Sequence, residues 1–150
     1  MPAQEKSAGV VIYRTQDKDV LFLLLFKKYK TEYWDLAKGH YEQGENALDA
    51  ARREAKEEAG ITDLRFIPGF EEKIGWWYRF EGKLTRKWVT YFLAETKTKD
   101  AVVSDEHLKP GWFTPAEAEK LIKHKETKEL LRKASAFLKK REKTSLTKFL

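Results

Sequence analysis

Three glutamates on one predicted helix are the residues whose types and spacing best fit a chemical role. Glu54, Glu57 and Glu58 lie at relative offsets of zero, three and four, so they fall within roughly 100° of one another around a helix. We expect no nearby side chain to neutralise these carboxylates. Like charges at i and i+4, such as Glu54 and Glu58, destabilise an isolated helix by about 0.2–0.5 kcal/mol. A hard divalent cation suits this cluster, because magnesium is held by a few carboxylates together with substrate phosphates.

A solvated charged face is the other interpretation of the same helix. Arg52, Arg53 and Lys56 are interleaved with the glutamates, and most such runs of charge on helices have no function beyond solubility. The spacing over a longer segment decides between the two. Residues 39–61, GHYEQGENALDAARREAKEEAGI, place Gly39, Glu45, the Arg53-Glu54 pair, the Glu57-Glu58 pair, Gly60 and Ile61 at fixed intervals.

This 23-residue segment resembles the Nudix box at every fixed position, which makes it a far more specific signal than a short glycine-rich string. The chain is therefore similar to the Nudix hydrolase family. The resemblance implies an α/β fold, a Nudix-type α/β/α sandwich with a central mixed β-sheet flanked by helices. It also implies hydrolysis of a phosphoanhydride bond by water with the help of Mg²⁺ or Mn²⁺.

The resemblance also assigns roles within the box. It implies that Glu54, Glu57 and Glu58 bind the metal together with the backbone carbonyl of Lys38 or Gly39, and that Glu54 or Glu58 is the general base. Arg53 is expected to pair with Glu45 and hold the loop against the helix. Gly39 and Gly44 allow a tight loop in which backbone groups can approach the metal and the phosphates closely. Gly60 can take the left-handed conformation that ends the helix.

Segments outside the box are similar to one branch, the asymmetric diadenosine tetraphosphate hydrolases. They are WDLAKGH at 34–40, KWVTYFLA at 87–94 and SDEH at 104–107, followed by Trp112. The resemblance implies phosphate contacts from Lys38, His40 and Lys87, and a further metal-site or water-site carboxylate from Glu106. Because purines stack on aromatic rings, the expected adenosine contacts are Tyr29, Tyr33 and Tyr91.

Two departures from that branch bear on substrate binding. Ala37 stands where the branch usually has proline, which reduces the rigidity of the loop. His124 stands where relatives carry an aromatic ring that helps to clamp a base, and imidazole stacks more weakly. The Trp76-Trp77-Tyr78 cluster fits either a nucleotide cleft or ordinary packing on a strand.

The elements that position these residues alternate along the chain. Runs of apolar and β-branched residues predict strands at 8–13, 20–26, 64–80, 88–94 and 111–113, with a bulge or bend in the third and a central place for the fourth. Asn46 and Gly60 predict the ends of a helix over Ala47–Ala59. A capping box at Thr114 to Glu117 starts a helix through Ile122, and an amphipathic helix follows from about 125 to 139.

Composition indicates one domain, residues 1–140, and a basic C-terminal tail, residues 141–150. The net charge of +6 is unevenly distributed, because residues 1–122 hold 20 basic and 21 acidic side chains whereas residues 123–150 hold 10 and 3. The basic end could steer a polyanion or touch RNA, but a solvated extension is the favoured interpretation. No cysteine is present, and no signal-like or membrane-crossing segment is found, so we expect a cytoplasmic protein without membrane contact.

The resulting hypothesis is a metal-dependent pyrophosphohydrolase that cleaves a small dinucleoside polyphosphate, diadenosine tetraphosphate, asymmetrically to ATP and AMP, with a monomer as the favoured oligomeric state. A related Nudix activity on RNA 5′ ends, nucleotide sugars or inositol pyrophosphates is the alternative within enzymes. A nucleotide-sensing module without turnover is the alternative outside them, and the complete set of three glutamates speaks against it.

Overall fold

The computed structural model describes residues 3–105 and 107–147. In these ranges the chain forms seven strands and three helices: β1 (Ala3–Gln16), β2 (Asp19–Tyr29), β3 (Thr31–Asp35), β4 (Ala37–His40), α1 (Ala47–Ala59), β5 (Arg65–Phe80), β6 (Lys83–Glu95), β7 (His107–Phe113), α2 (Pro115–Leu121) and α3 (Lys125–Thr147). None of the helices in the described part of the chain is long and apolar enough to cross a membrane.

All seven strands belong to one mixed sheet. Its main path is β3-β2-β1-β6-β5, with β4 paired to β1 and β7 paired to β2. The β1 strand is parallel to β6 and antiparallel to β2 and β4. The prediction of a central place for β6 is confirmed, because β6 lies between β1 and β5.

Tight turns connect the antiparallel pairs. Asp17 and Lys18 both have positive φ, 49° and 74°, which matches the right-handed twist of the β1–β2 hairpin. Between β2 and β3, Lys30 takes a positive φ of 62°. The expected irregularity in the third strand is also present, since the β5–β6 register shifts between Phe66 and Glu71. The short strands β3 and β4 were not predicted.

Helices cover both faces of the sheet, which confirms the α/β/α sandwich. On one face the alanines of α1, including Ala51 and Ala55, pack against Val10, Leu23 and Leu25. Small side chains allow this helix to approach the sheet closely. On the other face, helices α2 and α3 bury a larger apolar cluster that includes Phe22, Leu24, Val89, Leu93, Ala118, Leu130, Leu131 and Ala134, and each fully buried Leu or Phe contributes about 1.5–3 kcal/mol.

The helix ends follow the predicted capping residues. Asn46 accepts a hydrogen bond from the Asp49 amide at 2.8 Å, and Gly60 ends α1 in the left-handed region with φ of 66°. Thr114 and Glu117 form the capping box of α2, although α2 ends at Leu121 because Ile122 is extended. Helix α3 continues past the predicted end at residue 139 to Thr147, since its lysines, arginine and glutamate are good helix formers.

Candidate active site

Helix α1 places its glutamates beside strand β4. Gly39 of β4 pairs with Ala8 of β1, and the carboxylate of Glu54 lies directly against the Gly39 backbone, so a Cβ atom at Gly39 would collide with it. One turn further along α1, Glu58 Oε1 accepts a hydrogen bond from the backbone amide of Lys38 at 2.8 Å. The helix and the strand therefore hold two carboxylates against the Lys38–Gly39 backbone.

Arg53 connects the loop that precedes α1 to the glutamates. Its Nε and Nη2 donate to the two carboxylate oxygens of Glu45 at 2.7 and 3.0 Å, and Nη2 also donates to the His40 carbonyl at 2.8 Å. The expected pair of Arg53 and Glu45 is therefore present. Hydrogen bonding to Arg53 in turn lowers the pKa of Glu45.

The expectation that no side chain neutralises the glutamates is wrong. Arg53 Nη1 donates to Glu54 Oε1 at 2.8 Å and to Glu57 Oε2 at 3.0 Å, because the guanidinium reaches back over its own helix. Lys27 supplies a second cation, with Nζ 3.8 Å from Glu58 Oε1. The sequence showed Arg53 among the interleaved charges but did not show which way its side chain points.

Burial changes the acid–base properties of two of the glutamates. It raises the pKa of Glu58 to about 7, against the opposing effects of Lys27 and the Lys38 amide. It also raises the pKa of Glu54, although Arg53 opposes the shift. The side chain of Glu57 is 55% exposed. An additional positive charge at this position would therefore stabilise the ionised carboxylates.

The chemistry of the donor set fits a hard dication. The oxygens come from carboxylates on one face of α1 and from the Lys38–Gly39 backbone, and oxygen ligands are those that Mg²⁺ and Mn²⁺ prefer. The absence of a Cβ at Gly39 leaves the space that the Glu54 carboxylate needs beside that backbone. Among the residues that the structure describes, no group of three or more acidic or histidine side chains lies close enough together to hold a metal ion. Arg53 forms hydrogen bonds with Glu54 and Glu57.

Sequence reasoning missed a buried ion pair beneath Glu58. Lys27 Nζ donates to the Leu36 carbonyl at 2.9 Å and lies 3.9 Å from Asp35 Oδ2. Asp35 Oδ2 also lies 3.3 Å from Lys38 Nζ. Burial would raise the pKa of Asp35, but Lys38 and Lys27 outweigh it and the pKa is lowered. These side chains link Glu58 to Lys38, one of the predicted phosphate contacts.

Three of the predicted substrate contacts, Lys38, Lys87 and His124, lie near Trp76. Lys38 Nζ lies 5.0 Å from the ring centre of Trp76, and Lys87 is the cross-strand partner of Trp76 in the β5–β6 pair. The ring of His124 is stacked on Trp76 with 6.1 Å between centroids and 11° between planes. On β4, His40 Nδ1 lies 3.5 Å from Ser7 Oγ.

The prediction for Tyr91 is wrong. Its ring is fully buried among the core residues on the α3 side of the sheet and occupies the space beside Gly9, where a Cβ atom would lie 2.6 Å from Tyr91 Cε1. The ring therefore has no exposed face on which an adenine could stack. Burial raises the pKa of its hydroxyl, which has no hydrogen-bond partner within the described structure.

The other predicted contacts differ in their surroundings. Tyr29 is 69% exposed at the end of β2, whereas Tyr33 is half-buried on β3 and its pKa is raised by burial and then by Asp35 and Glu58. Glu106 lies outside the described residues. A cavity of about 670 Å³ lies between α2, α3 and the β1–β2 turn, and none of the glutamates of α1 lines it.

Comparisons with known proteins agree with this geometry. A family model described as the NUDIX domain matches residues 3–134. The chain is 40% identical over 134 residues to the asymmetrical bis(5′-nucleosyl)-tetraphosphatase of Caenorhabditis elegans, covering 89% of this chain and 96% of the relative. It is 33% identical over 143 residues to the mouse enzyme of the same name, covering 89% and 95%.

Solved structures show the same similarity. A crystal structure of a binary complex of the C. elegans Ap4A hydrolase superposes with a TM-score of 0.80 at 39% identity, covering 89% of this chain and 97% of that one. The Escherichia coli dihydroneopterin triphosphate pyrophosphohydrolase follows with a TM-score of 0.72 at 25% identity, covering 87% and 96%. Since the family match spans most of the chain and the glutamates of its box lie together on α1, the chain belongs to the Nudix hydrolase family.

Proposed function

We propose that this protein is a metal-dependent pyrophosphohydrolase that cleaves diadenosine tetraphosphate asymmetrically into ATP and AMP. The observation that carries the proposal is the placement of Glu54 and Glu58 against β4, the strand that also bears Lys38 and His40. Acidic groups for a cation and basic groups for a phosphate chain thus lie on one four-residue strand and its neighbouring helix. The two relatives named as asymmetrical tetraphosphatases match nearly the whole chain and support the choice of substrate.

The proposed metal site consists of Glu54, Glu57, Glu58 and a backbone carbonyl at Lys38 or Gly39, with Glu106 as a further carboxylate. Mg²⁺ or Mn²⁺ held by these residues would supply positive charge to offset the negative charge on the phosphoryl oxygens. Glu54 or Glu58 accepts the proton of the water that attacks phosphorus, because both carboxylates are buried against the same backbone segment. Arg53 keeps the loop and the helix together through Glu45.

The proposed nucleotide site is the face of the sheet around Trp76. Adenine stacks on Trp76, and His124 contributes a second ring on the same side. Ring stacking of this kind contributes about 1–3 kcal/mol per base. Lys38, His40 and Lys87 bind the phosphate chain, and Tyr29 and Tyr33 are the remaining candidate contacts for the second nucleoside.

A product analysis tests this function. The protein is incubated with Mg²⁺ and, in separate reactions, with diadenosine tetraphosphate, dihydroneopterin triphosphate, a nucleotide sugar, an inositol pyrophosphate and 5′-triphosphorylated RNA. We expect diadenosine tetraphosphate to give equal amounts of ATP and AMP, with one ¹⁸O atom from labelled water in a product phosphate. Two ADP molecules as the product, or turnover of another substrate alone, would contradict the proposal. Binding of nucleotides without any turnover would favour a sensor.

A further inference from the structure

A lysine is buried where the strand pattern calls for an apolar residue. Alternation along β2 directs Leu23 and Leu25 to the face that α1 covers, and Lys27 is the next residue of that series. It is only 8% exposed. Burying an ammonium group is costly unless it is paired and hydrogen-bonded, so its partners indicate what it does there.

The partners of Lys27 form a chain of alternating charges. Its Nζ donates to the Leu36 carbonyl at 2.9 Å and lies 3.8 Å from Glu58 and 3.9 Å from Asp35. Asp35 is also buried, at 5% exposure, and lies 3.3 Å from the ammonium of Lys38. In space, the alternating charges therefore follow the order Glu58, Lys27, Asp35 and Lys38.

The contacts to Glu58 define which of its oxygens is held. Both Lys27 Nζ and the Lys38 amide approach Oε1, from β2 and β4 respectively. The hydrogen bond from the Lys38 amide and the ion-pair contact with Lys27 act on the same oxygen, and together they set the rotation of the carboxylate about its bond to the chain. Lys27 lies beneath Glu58 on β2, so it acts from the protein interior.

We propose that Lys27, anchored by Asp35 and the Leu36 carbonyl, is a positioning residue that fixes the Glu58 carboxylate in the orientation needed to bind the metal ion. Its part in hydrolysis rests on the proposed function, but its effect on metal binding can be measured without turnover. Outer partners of ligating carboxylates typically change metal affinity or activity by about 10–100-fold when they are removed.

The sign of the effect separates positioning from simple electrostatics. Removing a positive charge near the glutamates would by itself strengthen the attraction for a dication. Loss of a positioning contact weakens binding instead. A purely structural role predicts unchanged binding in whatever protein remains folded.

The test is Mn²⁺ binding by electron paramagnetic resonance to full-length wild type, Lys27→Met and the matched control Lys28→Met, whose side chain is exposed on the same strand. We expect Lys27→Met to bind Mn²⁺ about tenfold more weakly and Lys28→Met to match the wild type. In steady-state assays with diadenosine tetraphosphate, kcat of Lys27→Met should fall about tenfold while KM stays within about twofold. Unchanged or tighter Mn²⁺ binding by Lys27→Met would overturn the proposal.

A second variant addresses the danger that Lys27→Met destabilises the protein, because the buried Asp35 then keeps only one of its two cations, Lys38. Removing both buried charges in Lys27→Met/Asp35→Asn should restore the melting temperature, since the carboxylate that loses Lys27 is also removed. If Mn²⁺ binding remains weak in this stable double variant, positioning is supported. If binding recovers together with the melting temperature, Lys27 serves only the fold.

A wild type that binds Mn²⁺ but hydrolyses no dinucleotide would refute the proposed function. The comparison of Mn²⁺ binding between the variants would still decide the role of Lys27.

Discussion

The carboxylate of Glu54 occupies the space beside Gly39 in which any other residue would carry its Cβ atom. Glycine is required here for space rather than for an unusual backbone angle, since Gly39 is absent from the positive-φ residues of the described chain. The glycine at the first fixed position of the box is thus explained by a direct contact between strand β4 and helix α1.

Gly39→Ala should therefore damage activity much more than stability. The new methyl group forces the Glu54 carboxylate away from the backbone, and a displacement of about 1 Å at a reacting centre can cost about 100-fold in rate. Steady-state kinetics and thermal unfolding of the same preparation measure both effects. Gly82→Ala is the control. Gly82 lies in the β5–β6 hairpin with a φ of 76° and open space around it, so an alanine there should lower the stability through backbone strain and leave kcat unchanged.

Arg53→Ala should make the protein less stable and more responsive to metal. The substitution leaves the Glu54 and Glu57 carboxylates without the guanidinium that now contacts both, and loss of such charged hydrogen bonds costs about 1.5–3 kcal/mol. Added Mg²⁺ should then raise the melting temperature by more than it does in the wild type. Arg52→Ala is the matched control, because Arg52 is the exposed neighbour of Arg53. If Mg²⁺ raised the melting temperature equally in both variants and in the wild type, Arg53 would not offset the negative charge of the glutamates.

Much of the helix and its box could be predicted because the signals are local. Asn46, Gly60 and the glutamate spacing all lie within or next to α1, and their consequences depend on helix geometry alone. Strands β3 and β4 were missed for the opposite reason. TEYWD and AKGH lack an alternating apolar pattern and become strands only through pairing with β2 and β1, which come from elsewhere in the chain.

The errors at the site have similar causes. The roles of Lys27 and Asp35 depend on long-range contacts with Glu58 and Lys38, which no local motif reports. Tyr91 could have been placed correctly from alternation, since Val89 and Leu93 on the same side of β6 are plainly core residues.

The Glu58 carboxylate can be tested by a change that keeps its size. Glu58→Gln should lower kcat by about 100-fold or more, because an amide neither accepts the proton of water nor binds a hard cation as well as a carboxylate. The melting temperature should change little, since the amide oxygen still accepts the hydrogen bond from Lys38. Near-normal turnover would remove this side chain from the mechanism, and Glu54→Gln in parallel assigns the base.

Asp63 provides a prediction about pH and stability. Burial would raise its pKa, but hydrogen bonds from the Thr96 hydroxyl, the Lys97 amide and the Thr98 hydroxyl outweigh it and lower the pKa. The ionised form is thus favoured by folding, so its stabilisation is complete above the unfolded-state pKa and is lost as pH falls through the lower folded-state pKa.

Asp63→Asn should consequently be less stable than the wild type at pH 7, by about 1 kcal/mol at most, because the side chain is largely exposed and water screens it. The difference should shrink as the pH is lowered below the unfolded-state value of about 3.9. Urea unfolding at several pH values measures it. A difference that is constant with pH would mean that the charge of Asp63 has no part in the effect.

Trp76 offers the sharpest test of where adenine binds. Trp76→Ala should raise KM for diadenosine tetraphosphate about 5-fold to 150-fold, which corresponds to the 1–3 kcal/mol of one stacked base, while kcat changes little because the ring is not a reacting group. The matched control is Trp77→Ala: Trp77 is 47% exposed and alternates to the opposite face of β5, so its loss should leave KM unchanged. His124→Phe should lower KM, because a phenyl ring stacks on a purine better than imidazole. Equal effects of the two tryptophan substitutions would move the base to another part of the sheet, and a KM that rises in His124→Phe would exclude His124 from the stack.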